Sequence, residues 1–254
     1  MGKIVAITGS AGSGKDSLAN IVINNSKEKW VKLSFASHLK DVVALLFGFD
    51  RAMLEGDTVE HRVMRETPDK FWSEKMGKDF TPRQALQIVG TDLLRNRLHQ
   101  NIWVDCLEQK MQNTDCNILI TDCRFKNEIE MLKKMDATFV RMEFEEKPNY
   151  WQPALFYNYA YGTPLVLNDW TTLQPFAEEL AKKFEYGFVD KNGLLMMANS
   201  TIITNKLINV HISEWDWIGY DRPEYTFIHQ DTVEDLEREV IGSDFWSWIH
   251  DKKE

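Results

Sequence analysis

The strongest constraint on the fold of this chain is a glycine-rich loop that joins an apolar segment to a helical pattern. The loop, residues 9–17, reads Gly-Ser-Ala-Gly-Ser-Gly-Lys-Asp-Ser and follows the β-branched run of residues 3–8. A G-x-x-x-x-G-K pattern between a strand and a helix is typical of a phosphate-binding loop, because its N–H groups and the helix N-terminus surround a polyphosphate. The residues predicted to bind a nucleoside triphosphate are Gly9, Ser10, Ala11, Gly12, Ser13, Gly14, Lys15, Asp16 and Ser17.

The residues expected to hold a magnesium ion beside the triphosphate depart from the usual phosphate-loop motif. Asp16 follows Lys15, where the usual loop has Ser or Thr, so the next available hydroxyl is that of Ser17. The apolar run of residues 118–121 is followed by Asp122, and an acid at such a strand end lies near the metal and the phosphates. We therefore expect Ser17 and Asp122 to be the Mg²⁺ ligands. The alternative role for Asp122 is to cap the helix that follows it.

Composition and charge restrict the class of partner. The chain has 254 residues, 43% of them hydrophobic, and a net charge of −9, which argues against duplex nucleic acid because such binding needs a basic face. Cys106, Cys116 and Cys123 lack a C-x-x-C spacing and indicate reduced thiols. No apolar run is long enough to span a membrane, and because residues 3–8 are predicted to form the first strand, we expect no signal sequence. We expect a cytoplasmic protein with a small-molecule substrate and no membrane partner.

Short apolar segments alternate with helical patterns along most of the chain. The alternation predicts an α/β fold, a three-layer P-loop architecture in which helices flank a mainly parallel sheet. The predicted strands are residues 3–8, 31–34, 118–121, 138–143 and 225–228, and the predicted helices are residues 37–47, 82–97, 101–111, 127–135 and 232–241. Residues 147–208 interrupt this rhythm, so we expect a core of residues 1–146 and 209–254 with an inserted lid-like segment.

The predicted helix 82–97 carries polar residues suited to a second substrate. Thr81 is expected as its N-cap, with a proline at the first helical position. The apolar residues of this helix form one stripe, so its other faces could bind the phosphate and the sugar of an acceptor nucleotide. An equally simple interpretation is a charged helix face that is exposed to solvent. The candidates on this helix are Arg83, Gln87, Thr91, Asp92 and Arg95.

Three further side chains follow predicted strands. Because the carboxyl ends of parallel strands meet at one edge of a sheet, Arg124, Phe35 and Lys40 are expected at the ligand-binding edge. Arg124 could stabilise charge on a phosphoryl group in transfer. Phe35 could stack on a base and Lys40 could contact a phosphate, whereas the alternatives are a core phenylalanine and a solvent-exposed lysine.

These pieces together resemble the bacteriophage deoxynucleoside monophosphate kinases. The resemblance rests on residues 9–17, Phe35-Ala36-x-x-Leu39-Lys40, Thr81-Pro82-Arg83 through Gly90-Thr91-Asp92-x-x-Arg95, Asp122-x-Arg124-Phe125-x-Asn127-Glu128 and His211-x-Ser213-Glu214. It implies a nucleoside-monophosphate-kinase-like fold, ATP and Mg²⁺ as cofactors, a deoxynucleotide substrate and a homodimer, in the host cytoplasm if the protein is phage-encoded. It also adds Asn127 and Glu128 to the expected substrate-binding residues.

The expected reaction transfers the γ-phosphoryl group of ATP to a deoxynucleoside monophosphate, which gives ADP and the diphosphate. An acceptor phosphate is already ionised near neutral pH, so catalysis needs positioning and charge stabilisation, here by Lys15 and Arg124. One alternative is a kinase with a hydroxyl acceptor, a nucleoside or a coenzyme precursor, in which Asp16 acts as the base. Another is an assembly ATPase, which would hydrolyse ATP without any monophosphate.

Overall fold

Contacts within the chain divide it into two compact units. The computed structural model describes residues 2–161, 207–208 and 210–251. The larger unit consists of Gly2–Lys32 and Cys116–Glu254, and the smaller unit consists of Leu33–Asp115. Each unit has a hydrophobic cluster of its own.

The glycine-rich loop begins at the end of the first strand of a parallel sheet. Within the described residues this sheet has five strands, in the spatial order β2-β3-β1-β4-β5. Their bounds are β1 (Ile4–Gly9), β2 (Trp30–Leu33), β3 (Asn117–Ile120), β4 (Thr138–Glu143) and β5 (Tyr225–Ile228). Strand β1 pairs in parallel with β3 and with β4, and β4 pairs in parallel with β5. The strand order reverses beside β1, and open α/β sheets bind ligands at the carboxyl ends next to such a reversal.

The helices of the described residues are mostly short. In chain order they are α1 (Lys15–Asn25), α2 (Ser37–Phe47), α3 (Arg51–Glu55), α4 (Val59–Glu66), α5 (Lys70–Met76), α6 (Pro82–Gln87), α7 (Ile102–Gln112), α8 (Lys126–Lys134), α9 (Trp151–Tyr161), α10 (Val233–Ile241) and α11 (Asp244–His250). A π-helix, Ile88–Leu98, continues directly from α6, and a 3₁₀ turn, Ile212–Glu214, precedes β5. None of these helices is long and apolar enough to cross a membrane.

The core of the larger unit explains why its strands are apolar on both faces. All six residues of β1 are buried, as expected for a strand that is covered on both sides of a parallel sheet. One covered face packs against α1, α10 and α11, through buried residues that include Leu18, Val22, Leu236, Val240 and Phe245. The strand that leads into the glycine-rich loop is therefore held rigidly.

The smaller unit is organised around aromatic side chains. The Phe47 ring lies 5.5 Å from that of Phe49, 5.0 Å from that of Trp72 and 5.5 Å from that of Phe80, measured between ring centroids. Buried residues of α2, α3 and the α6–π-helix segment complete this cluster. The unit is thus a compact helical body with a core independent of the sheet.

The predicted α/β fold with a mainly parallel sheet is confirmed, and most element bounds agree within one residue. The predicted helix 82–97 is correct at its start, where Thr81 accepts from the Gln84 N–H in a capping box, but from residue 88 the helix is π-helical. Helices α3, α4, α5, α9 and α11 were not predicted. The expected lid-like insertion falls largely on residues 162–206, which lie outside the described part of the chain, so the division at 147–208 stays a prediction.

Candidate active site

The glycine-rich loop adopts a conformation that requires glycine at its first position. Gly9 has φ +146°, and a Cβ atom there would lie 2.4 Å from the carbonyl oxygen of Met142 on β4. Gly14, the N-cap of α1, has φ +94°. The Ser13 N–H donates to the Ser10 carbonyl at 3.2 Å, which closes the loop before the helix begins. The loop therefore leads directly into the N-terminus of α1, the strand–loop–helix arrangement that binds phosphate in other proteins.

Lys15 is buried at the base of this loop. Its Nζ donates to the carbonyl oxygens of Gly9 at 3.0 Å and Ser10 at 2.7 Å. Burial, and next the positive charge of Arg124, lower the pKa of Lys15 from 10.5 to about 8, against the opposing effect of nearby carboxylates. The ammonium group is therefore charged at neutral pH but poorly solvated, so an arriving polyanion would be strongly favoured at this position.

Carboxylates and hydroxyls surround the start of α1. The Thr121 hydroxyl donates to Asp16 Oδ1 at 2.8 Å, and Lys32 Nζ lies 3.3 Å from the same oxygen. The charges of Asp16, Asp122 and Glu214 all act on Lys15, so these acids lie around the loop. Hard oxygen donors of this kind fit Mg²⁺, which is usually bound by one or two carboxylates together with substrate phosphates and water. The described residues contain no group of three or more His, Cys, Asp or Glu side chains that could hold a metal ion.

Arg124 and Glu214 form an ion pair beside the glycine-rich loop. Arg124 Nη1 donates to Glu214 Oε1 at 2.6 Å, and both side chains are about a quarter to a third exposed. The second carboxylate oxygen, Oε2, accepts from the N–H of Ala11 at 3.2 Å. One carboxylate thus joins a loop amide to the arginine that follows β3.

The start of α8 is capped by Glu128. This buried carboxylate accepts from the N–H groups of Arg124 at 2.7 Å and Phe125 at 3.1 Å, which fixes the turn between β3 and α8. The described contacts of Glu128 are therefore structural, and they hold the backbone of Arg124. Neighbouring Asn127 is half-buried, and its Oδ1 accepts from the Glu128 N–H at 3.1 Å.

A buried ion pair supports the strand that precedes the loop. Arg141 on β4 pairs with Asp221, which is fully buried, and its Nε donates to Asp221 Oδ2 at 3.0 Å. The Thr8 hydroxyl donates to the same Asp221 oxygen at 2.5 Å. The guanidinium carbon of Arg141 lies 5.8 Å from the ring centroids of both Trp151 and Trp217. Because Thr8 directly precedes Gly9, this network fixes the entry to the loop.

Two residues of the smaller unit that were predicted to bind substrate, Phe35 and Lys40, precede α6 in the chain. One is buried and the other has an ion-pair partner within the protein. Lys40 Nζ pairs with Glu55 Oε1 at 2.6 Å, and Phe35 is only 3% exposed. Burial of Phe35 favours the alternative of a core phenylalanine over base stacking. Lys40 is likewise an ion-paired side chain and not the solvent-exposed lysine of the alternative interpretation.

The remaining candidates of the smaller unit lie on α6 and the π-helix. Gln87, Thr91 and Asp92 are exposed, Arg95 is half-buried, and Arg83 is half-exposed with its Nε 3.3 Å from Glu66 Oε1. A π-helix is rare and is found frequently at functional sites. It is anchored here by the indole of Trp103, whose Nε1 donates to the Gly90 carbonyl at 3.0 Å.

The larger unit brings the predicted donor-site residues together and adds residues that were not predicted from the sequence. Lys15, Asp16, Asp122 and Arg124 interact electrostatically or through hydrogen bonds around the loop. The added residues are Thr8, Thr121, Arg141, Glu214 and Asp221. Of these, Glu214 had a signal in the sequence, the His211-x-Ser213-Glu214 piece, whereas the others gain their roles only from contacts distant in sequence.

Two comparisons of the sequence with known proteins agree on one family. The sequence profile described as "Deoxynucleotide monophosphate kinase" matches residues 50–150. A "Putative deoxynucleotide monophosphate kinase" of Acanthamoeba polyphaga mimivirus is 30% identical over 152 residues, which cover 55% of this chain and 73% of that protein. The "Deoxynucleoside-5'-monophosphate kinase" of Escherichia phage T5 is 27% identical, and the match covers 56% of this chain and 78% of that protein.

Likeness to solved structures is weaker. Shikimate kinase from Bacteroides thetaiotaomicron is 10% identical with a TM-score of 0.36, over 94% of this chain and 96% of that one. A score at this level bears on neither the fold nor the activity.

Proposed function

Because the chain belongs to the deoxynucleotide monophosphate kinase family, we propose that it transfers the γ-phosphoryl group of ATP to a deoxynucleoside monophosphate, giving ADP and a deoxynucleoside diphosphate. The observation that carries the proposal is the site around Lys15 in the larger unit. There, a phosphate-binding loop, a buried lysine and Arg124 meet at the carboxyl ends of β1 and β3. The profile match at residues 50–150 includes β3 and Arg124 but neither the loop nor Lys15, so the loop and Lys15 support the proposal independently of that match.

In the proposed reaction, Lys15 and the loop N–H groups bind the donor phosphates, and Arg124 stabilises the charge on the phosphoryl group in transfer. Mg²⁺, when bound, would neutralise phosphate charge, and Asp122, Ser17 and Asp16 are the residues that would hold it, directly or through water. The contact of Asp16 with the Thr121 hydroxyl supports a role in orienting the loop. It gives no particular support to Asp16 as a base for a hydroxyl acceptor.

The acceptor residues are proposed on the smaller unit. Arg83 and Arg95 would bind its phosphate, and Gln87, Thr91 and Asp92 would bind its sugar and base. Exposure of these three polar side chains supports the assignment, since a substrate can reach them. Burial removes support for Phe35 as a stacking residue. We further propose a homodimer located in the cytoplasm, which light scattering and cell fractionation would test.

A coupled ADP-release assay tests the activity. Purified protein is supplied with ATP and Mg²⁺ and with a panel of deoxynucleoside monophosphates, ribonucleoside monophosphates and nucleosides. We expect ADP release that depends on a deoxynucleoside monophosphate and is abolished by chelation of the metal. ADP release with nucleosides alone would support a hydroxyl-acceptor kinase, and release without any acceptor would support an ATPase.

Two lysine variants make the assay specific to the site. Lys15→Met removes the buried ammonium group and should lower kcat by about 100-fold or more, because charge stabilisation in the transition state is lost. Lys27→Met removes an exposed lysine just after α1 and should leave kcat unchanged. Equal activity of the two variants would contradict the assignment of the donor site.

A further inference from the structure

We propose that Glu214 sets the affinity for the terminal phosphate of the donor, because its carboxylate occupies the position between Arg124 and the Ala11 N–H that this phosphate takes over. The inference rests on the proposed function. It adds a specificity-determining residue that neither the phosphate-loop pattern nor the acceptor helix contains.

The contacts of Glu214 are those of a bound anion. Its two oxygens accept one hydrogen bond from the Arg124 guanidinium at 2.6 Å and one from the Ala11 amide at 3.2 Å. Phosphate oxygens accept from the same two kinds of donor, and charged acceptors form the stronger bonds. The carboxylate also raises the pKa of Lys15, although less than burial and Arg124 lower it, so it lies within electrostatic reach of the lysine assigned to the phosphates.

A carboxylate and a phosphate cannot share this position, because both are anionic and both need the same donors. The backbone of Glu214 is fixed independently: its N–H donates to the His211 carbonyl at 2.9 Å, and its carbonyl accepts from Trp217 Nε1 at 3.1 Å. Displacement therefore requires only rotation of the Glu214 side chain. Its carboxylate must then leave Arg124, and the free energy of that ion pair is subtracted from the binding free energy of the donor.

Only a ligand that carries the phosphate contacting Arg124, the phosphate to be transferred, must break the Arg124–Glu214 ion pair. ADP lacks that phosphate and can bind with the Arg124–Glu214 pair intact. Glu214 therefore brings the affinity for ATP closer to that for ADP, which limits how tightly ATP is held before an acceptor arrives.

Calorimetric titration with Mg²⁺ and either a non-hydrolysable ATP analogue or ADP tests the proposal. Glu214→Gln keeps the size and the hydrogen-bonding oxygen but removes the charge, and we expect about tenfold tighter binding of the ATP analogue, the effect of losing one half-buried charge-assisted pair. Binding of ADP should change by less than about twofold. Glu74→Gln, which removes one exposed carboxylate on α5, controls for net charge and should change neither affinity.

Each alternative outcome has a definite meaning. Unchanged or weaker binding of the ATP analogue by Glu214→Gln, or an equal gain for ADP, overturns the proposal, and weaker binding would make Glu214 a direct donor-site ligand. Lys15→Met separates this failure from failure of the proposed function. If that variant loses the analogue while Glu214→Gln gains nothing, only the inference on Glu214 fails. If wild-type protein does not bind the analogue, both fail.

Discussion

Burial of the Lys15 ammonium group predicts a pH-dependent cost in stability that a single substitution removes. The folded protein holds the pKa of Lys15 at about 8, against 10.5 in water, chiefly because of burial and secondly because of Arg124. An unfolded chain therefore binds one more proton at this residue between these two pH values. Stability contributed by this group is lowest below pH 8 and rises as the pH increases toward 10.5.

The size of the effect follows from the two pKa values. Each pKa unit corresponds to about 1.4 kcal/mol, so the buried charge lowers the free energy of unfolding by roughly 3 kcal/mol at low pH. About 2.5 kcal/mol of this loss is regained as the pH rises from 7 to 10. Lys15→Met has no charge to bury. Its free energy of unfolding, relative to wild type, should therefore fall by about 2.5 kcal/mol over this range. Lys15→Met also loses the hydrogen bonds from the ammonium group to the carbonyls of Gly9 and Ser10. This loss changes the difference in free energy of unfolding at neutral pH, but it has little effect on how that difference varies with pH.

Urea unfolding of wild type and Lys15→Met at pH 7, 8, 9 and 10, followed by tryptophan fluorescence, measures this change. Other titrating groups are common to both proteins and cancel in the difference. Lys27→Met, which removes an exposed lysine, should show a difference from wild type that is constant with pH. A Lys15→Met difference that stays constant within about 0.5 kcal/mol would refute the argument that the buried lysine is poorly solvated in the folded protein.

Three other substitutions have definite expected outcomes. Asp221→Asn removes the fully buried counter-charge of Arg141, which then keeps only its 3.3 Å ion pair with Glu143. We expect the free energy of unfolding to fall by about 3 kcal/mol in urea titrations, whereas a loss under about 1 kcal/mol would contradict a buried ion pair. Lys3→Met removes the buried ammonium that donates to the carbonyls of Trp248 at 2.7 Å and Ile249 at 2.9 Å. We expect the free energy of unfolding to fall by about 2 kcal/mol and amide exchange in α11 to become faster. Unchanged exchange would show that α11 is held by packing alone. Gly9→Ala forces a Cβ to 2.4 Å from a carbonyl oxygen, so the variant should lose ATP-analogue binding in calorimetry, and wild-type affinity would contradict the loop geometry.

The sheet and the loop could be predicted from the sequence because their signals are local. Runs of β-branched and apolar residues mark strands that are buried on both faces, and β4 and β5 have the predicted bounds. The helix starts at Thr81 and Thr232 carry capping side chains within three residues of the backbone groups they bind. The phosphate loop is likewise a contiguous pattern whose glycines are needed by its own backbone.

The missed helices had weaker local signals. Helices α3, α4 and α5 follow the N-cap residues Asp50, Thr58 and Asp69, which the sequence does contain. They are only five to eight residues long, and α4 and α5 bury no residue, so they lack the long core-facing apolar stripe from which a helix is predicted. The π-helix has no residue pattern of its own, and the hydrogen bond that the Trp103 indole donates to its Gly90 carbonyl comes from a residue 13 positions away in the chain.

By itself, the sequence determined the α/β class, the strand–loop–helix that holds Lys15 and the identity of the arginine after β3. Each depends on residues adjacent in the chain. Only the tertiary structure decided that Asp221 neutralises Arg141 and supports Thr8, and that Glu214 joins Ala11 to Arg124. Those pairs are separated by 80 to 213 residues, and charge complementarity across such distances is invisible until the sheet brings the strand ends together.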